Sequence, residues 1–220
     1  MPFDLVIFDC DGVLIDSELL SVRADLECLA EHGIHLSQRE ILDRYTGISL
    51  AGMLRDIETR YRRPLPDFAI RHQARLRQLF EAGLRAIPGT VAALDSLACR
   101  SCVASSATPE RLQHALSLVG LLDRFTPNIF SAVEVARGKP APDLFLYAAD
   151  RMGVRPQGCV VVEDSLPGIA AAVAAGMTAI GFTGGGHCRP GHDSRLAEEG
   201  AALVIDRMAQ LGPALARRWP

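Results

Sequence analysis

The sequence lacks the features that mark several whole classes of protein. No apolar run approaches the roughly 20 residues needed to span a bilayer, and only 5% of residues are aromatic. There is no surplus of basic charge: 23 Lys plus Arg stand against 26 Asp plus Glu, a formal charge of −3. Without a cationic field, a nucleic acid or other polyanion is not the expected partner. No internal repeat or low-complexity tract is visible. Met1-Pro2-Phe3-Asp4 runs at once into a strand-like segment and lacks the basic-then-apolar pattern of a leader, so a cytoplasmic location is expected. A disulfide framework is also not expected. Cys10, Cys28, Cys99, Cys102, Cys159 and Cys188 lie mostly in apolar segments of a chain long enough to form a core without crosslinks, so reduced thiols are expected. Cys99 and Cys102 form a CxxC, but no second pair follows at zinc spacing.

What is present is an apolar fraction of 49% with 22% charged residues over 220 positions, the balance of a soluble α/β protein of one large or two modest domains. Continuous apolar runs, the mark of strands buried on both faces of a parallel sheet, recur at 4–8, 102–104, 128–130, 159–162, 178–182 and 202–205. Helical patterns separate them. Thr108 before Pro109 reads as a cap with proline in the first turn, Pro142 to Met152 ends at Gly153, and Leu166 to Ala175 ends at Gly176. This alternation predicts a doubly wound, Rossmann-like parallel sheet.

Between Asp16 and Pro88 the rhythm breaks. Leu19, Val22, Leu26 and Leu29 repeat at helical spacing, Ser37 to Glu40 forms a capping box, and further helices are predicted over 49–62 and 67–82. No strand-like run occurs there. The division expected is a core of residues 1–15 and 88–220 with an inserted all-helical domain of residues 16–87, both connections being candidate hinges.

In an open α/β sheet the ligand crevice lies beyond the carboxyl ends of the strands. Those ends carry Asp9-Cys10-Asp11-Gly12, then Ser105-Ser106-Ala107-Thr108, then Lys139, then Glu163-Asp164-Ser165. Taken singly, each has an ordinary reading as a turn, a helix cap or a solvated lysine. Together they bring carboxylates, a hydroxyl and an ammonium to one crevice. Phe8-Asp9-Cys10-Asp11-Gly12-Val13-Leu14 resembles the first motif of the haloacid dehalogenase-like (HAD) superfamily. Ser105, Lys139-Pro140-Ala141-Pro142-Asp143 and Glu163-Asp164 resemble its second, third and fourth. The helical insert resembles the C1 cap of the β-phosphoglucomutase and phosphatase-like branch.

The charges agree with this resemblance. Asp9, Asp11, Glu163 and Asp164 set up to four negative charges against Lys139, and a phosphate monoester adds about two more. Like charges 4 Å apart cost about 4 kcal/mol at an effective dielectric near 20, so a divalent cation is required, and oxygen ligands beside a phosphate favour Mg2+. The resemblance implies that Asp9 is the nucleophile that forms an aspartyl phosphate, and that Asp11 is the acid and base. It implies Asp9, the Asp11 carbonyl and Asp164 as metal ligands, with Glu163 on the metal or behind it. Ser105, Lys139 and backbone N–H groups around Cys10 and Ser106 would hold phosphoryl oxygens.

Asp11 disfavours dehalogenation, because haloacid dehalogenases lack an aspartate there. β-Phosphoglucomutases resemble the chain through Asp16 and Gly47-Ile48-Ser49, but carry a histidine where Ser21 stands and an arginine where Leu50 stands. Phosphatase action on a small phosphorylated sugar or sugar acid is the reading that follows, with a phosphosugar mutase as the alternative. Gly47 to Met53, including Ile48, Ser49 and Leu50, is the expected specificity loop. Arg44 and Arg55 are candidates for an acidic leaving group. A receiver-like phosphoaspartate domain is disfavoured because its phosphorylated aspartate follows a later strand. Gly184-Gly185-Gly186-His187-Cys188 with His192 reads as a flexible glycine loop without a role.

Overall fold

The computed structural model describes residues 3–46 and 48–217. Six parallel strands form one sheet among the described residues: β1 (Leu5–Phe8), β2 (Arg100–Ser105), β3 (Ile129–Ser131), β4 (Cys159–Glu163), β5 (Thr178–Phe182) and β6 (Leu203–Ile205). Their spatial order is β3-β2-β1-β4-β5-β6, the doubly wound order whose direction reverses beside the first strand. The crevice therefore opens where β1 and β4 lie side by side, in register from Leu5 opposite Cys159 to Phe8 opposite Val162.

Among the described residues, four helices follow β1 with no strand between them: α1 (Glu18–Glu31), α2 (Gln38–Tyr45), α3 (Leu50–Tyr61) and α4 (Phe68–Gly83). The expected capping box starts α2: Ser37 Oγ accepts from the Glu40 amide while Glu40 accepts from the Ser37 amide. Then come α5 (Thr90–Asp95), α6 (Pro109–Leu118), α7 (Leu122–Phe125), α8 (Asp143–Arg151), α9 (Leu166–Ala174), α10 (His192–Glu199) and α11 (Leu211–Leu215). Thr108 caps α6 through the Arg111 amide, and Ser165 caps α9 through the Gly168 amide at 3.1 Å.

The period-2 alternation of β1 divides the core. Val6 and Phe8 pack with Leu112, Leu116, Phe125 and Leu215 on one face; Leu5 and Ile7 pack with Leu144, Phe145 and Ile169 on the other. A third cluster, built around Leu29, Ile41, Ile57 and Phe68, belongs to the helical insert. Leu76, Leu79 and Phe80 of α4 join the first core layer, seating the insert on the sheet domain. The two connecting segments run beside each other: Ile15 bridges Ala86 in antiparallel fashion, the Asp16 amide donates to the Arg85 carbonyl at 2.9 Å, and the Ile87 amide donates to the Leu14 carbonyl at 2.9 Å.

Candidate active site

Asp9 is the first residue past β1, and its amide still donates to the Val162 carbonyl at 3.0 Å. That bond fixes the carboxylate at the sheet edge next to Glu163. Lys139 arrives from the loop after β3 and joins the two: its Nζ donates to Asp9 Oδ1 at 2.7 Å, to Glu163 Oε1 at 2.6 Å and to the Ala104 carbonyl at 3.3 Å. The Lys139 side chain is 1% exposed. The second oxygen of Glu163 is also occupied, accepting from the Ser165 amide at 2.7 Å and from Ser165 Oγ at 2.9 Å.

Asp11 stands on the turn that follows. The Leu14 and Ile15 amides close back on the Cys10 carbonyl, and the Gly12 amide on the Ile15 carbonyl. Gly12 has φ +74°, and a Cβ there would collide with Asp164 Oδ2. Glycine thus answers two demands, the left-handed turn and the approach of the fourth strand's carboxylate. Asp11 Oδ1 accepts from Ser17 Oγ at 2.5 Å and from Arg111 Nη2 at 2.8 Å. Arg111 also reaches Ser21 Oγ at 3.4 Å and lies over the Phe80 ring, 5.6 Å from its centre.

Burial dominates the titration of Asp9 and Asp164. Asp9 is pushed up to about 8 by desolvation, with Lys139 opposing and Glu163 and Asp11 adding to the rise. Asp164 is held well above the ordinary range by desolvation, then by Glu163 and Asp9. Desolvation pulls Lys139 down, but Asp9 and Glu163 outweigh it and the net movement is upward. Oxygens of Asp9, Glu163 and Asp164 lie within 4.8 Å of one another. Asp164 Oδ2 is buried without a hydrogen-bond partner among the described residues. An all-oxygen, anionic set of buried carboxylates suits a hard divalent cation.

Asp9, Asp11, Arg111, Lys139 and Asp164 form one wall of a cavity lined also by Ser105, Ser106 and Ala107. The opposite wall is the insert's inner face, with Glu18, Ser21, Asp25, Tyr45, Ile48, Leu50, Met53 and His72 among its residues. Ser105 is buried, and its Oγ accepts from the Ala107 amide at 3.2 Å.

Residues 3–176 match the family model for haloacid dehalogenase-like hydrolases. The chain belongs to that family. Over 189 residues it is 32% identical to 6-phosphogluconate phosphatase of Escherichia coli K12, covering 85% of this chain and 86% of that one. Over 183 residues it is 32% identical to Hexitol phosphatase B of the same strain, covering 79% and 81%. A haloacid dehalogenase-like protein of Agrobacterium tumefaciens C58 superposes with a TM-score of 0.84 at 40% identity, over 97% of this chain and 98% of that one. The protein is a HAD phosphomonoester hydrolase acting on small phosphorylated metabolites, and Mg2+ dependence is typical of the family's catalytic motif. No helix among the described residues is long and apolar enough to cross a membrane.

The HAD fold brings Asp9, Asp11, Ser105, Ser106, Lys139 and Asp164 to one cavity. Cys10 is fully buried and is not among the cavity's lining residues. Ile48, Ser49 and Leu50 line the cavity, whereas Arg55 and Arg44 are exposed and are not among its lining residues. Gly47 lies outside the described residues. The segment after β5 corrects an expectation. Instead of a flexible spacer, it is backbone packed against the first motif's turn: the Gly186 amide donates to Asp16 Oδ1 at 2.9 Å, and a Cβ at Gly185 would meet the Gly12 carbonyl at 2.9 Å. His192 Nε2 lies 2.6 Å from the Asp164 carbonyl, and His187 Nε2 lies 3.0 Å from Asp164 Oδ2.

Arg111 is a site cation that the sequence pattern did not reveal, so the charge balance counts two cations, not one. A signal was present: a positive side chain in the first turn of α6 opposes the helix dipole and sits beside the crevice.

Proposed function

We propose that the protein is a Mg2+-dependent phosphatase that hydrolyses a phosphorylated sugar or sugar acid through an aspartyl phosphate on Asp9. The reading rests chiefly on the Lys139 ammonium, which lies between the carboxylates closing β1 and β4 with Asp11 two residues from the first. Asp9 attacks phosphorus and the ester P–O bond breaks. Protonated Asp11 gives its proton to the departing alkoxide, then as carboxylate takes one from the water that cleaves the phosphoenzyme, returning Asp9. Ser17 and Arg111 hold one Asp11 oxygen in place for both transfers. Lys139, Ser105 and the backbone at Cys10 and Ser106 stabilise the phosphoryl oxygens. Glu163, with both oxygens engaged, positions Lys139. Asp9, the Asp11 carbonyl and Asp164 would hold Mg2+, which offsets the phosphate's charge beside these carboxylates.

Residues 16–87 act as the cap over a core of residues 1–15 and 88–220, a division supported by the paired connections at Ile15 and Ala86. Leu50 on the cavity wall, where a β-phosphoglucomutase carries arginine, favours water over a sugar hydroxyl as acceptor. The relatives named for 6-phosphogluconate and hexitol support a small carbohydrate phosphate.

The test is Mg2+-dependent phosphate release from p-nitrophenyl phosphate, expected to fall at least about 10^3-fold in Asp9→Asn. Interconversion of glucose 1- and 6-phosphates faster than phosphate release overturns the reading.

A further inference from the structure

The cavity's second wall carries polar groups that the phosphoryl chemistry does not use. Glu18, Ser21 and Asp25 lie at i, i+3 and i+7 on α1, one stripe along a 3.6-residue period, and all three line the cavity. Across from them, α4 contributes His72, whose Nε2 is 2.9 Å from Asp25 Oδ1. Asp25 is 8% exposed and His72 5%. Yet His72 Nε2 makes no hydrogen bond among the described residues, and its ring is stacked on Phe68 at 5.8 Å. Such a pair is unfavourable inside an apolar helical cluster unless something completes its bonds, and apolar packing of α1 on α4 is already supplied by Leu29 with Phe68 and Ala24 with Leu76.

Charge sets the class of molecule that completes them. Among the described cavity residues, the insert contributes two carboxylates, Glu18 and Asp25, with the hydroxyls of Ser21, Tyr45, Thr46 and Ser49, and no lysine or arginine. Both cavity cations stand on the opposite wall, Lys139 between Asp9 and Glu163, Arg111 on Asp11.

Resting on the phosphatase reading, we propose that Glu18, Ser21, Asp25 and His72 form a hydroxyl-reading strip that selects neutral polyol phosphates and rejects leaving groups bearing a second anion. Hydroxyls of the leaving group donate to the Asp25 and Glu18 carboxylates, and His72 completes its bond to the same chain of hydroxyls. A carboxylate in that position meets two like charges and finds no uncommitted cation.

The experiment compares kcat/KM for sorbitol 6-phosphate and 6-phosphogluconate, which differ at one terminal carbon, CH2OH against carboxylate, in the native protein, Asp25→Asn and His72→Gln. The native protein is expected to prefer the neutral ester by at least about 10-fold. Asp25→Asn is expected to shrink that ratio at least about fivefold, and His72→Gln to shrink it less. A ratio of two substrates is insensitive to the amount of folded enzyme, so a structural role alone does not move it. A native ratio below about twofold, or a ratio unchanged in both variants, overturns the strip. Failure of the native protein to release phosphate from p-nitrophenyl phosphate would instead sink the phosphatase reading itself.

Discussion

The two walls of the cavity hold similar polar side chains and use them in opposite ways. On the sheet wall the charges answer one another: Lys139 is shared between Asp9 and Glu163, Glu163 is further tied to Ser165, and Asp11 is held by Ser17 and Arg111. On the helical wall no cation answers Glu18 and Asp25, and His72 Nε2 lies 2.9 Å from Asp25 Oδ1 without completing a hydrogen bond. The first arrangement is preorganised, so little reorganisation is needed as charge develops on a phosphoryl group. In the proposed strip, the second is completed by the leaving group's hydroxyls. The proposed chemistry therefore lies on strand ends whose position the sheet register dictates, and the proposed selectivity on helices outside that register.

The sharpest way to break this contrast is to remove the shared cation. Lys139→Met leaves Asp9 and Glu163 buried without compensation, a loss expected to cost about 3–5 kcal/mol and to lower turnover at least about 10^2-fold. Chemical denaturation and aryl phosphate kinetics check it, and a stability change under 1 kcal/mol would mean the sheet wall is not held by its ion pairs.

A smaller effect follows from the raised carboxylates. Asp9 is lifted from 3.8 to about 8 and Glu18 from 4.5 to about 7, each by burial first. Their folded pKa values exceed the unfolded ones, so between about pH 4 and 8 the metal-free folded state binds more protons and its stability falls as pH rises. Cation binding requires ionised ligands. Mg2+ at about 100 times its Kd is therefore expected to raise Tm by roughly 5–10 °C at pH 8 and by clearly less at pH 6. Equal shifts at the two pH values would contradict the assigned ligands.

Arg111→Met is expected to have the mildest effect, about 10- to 100-fold on kcat with little change in KM, because its proposed task is to hold Asp11. A variant that raised KM alone would move Arg111 from the chemical wall to the selective one and would weaken the inference about neutral leaving groups.

Much of the sheet was legible because strands buried on both faces show as unbroken apolar runs. The three-residue strand β3 slipped by one residue, from 128–130 to Ile129–Ser131, where so short a run carries little positional information. That the polar residues at strand ends meet in one cavity was legible for the same topological reason. Arg111, Asp25 and His72 were not, because their partners lie far away in the chain and the apolar stripe of α1 masks the polar one beside it. The segment at 184–186 was misread because a run of glycines looks the same whether it loosens a loop or lets two backbones touch. The short helices α5, α7, α10 and α11 fall below the length at which periodicity shows.

The chain leaves the sheet domain at Ile15 and returns at Ala86 as a bonded neighbour. For the strands on either side, everything between is equivalent to a tight hairpin. Lengthening or rewriting that excursion adds a loop-closure cost that grows only as the logarithm of its length and leaves β1 in step with β2 and β4. A foreign helical insert grafted between those two points should therefore leave the carboxylate pair of the first turn where it is, so that a change of diet need not become a change of reaction.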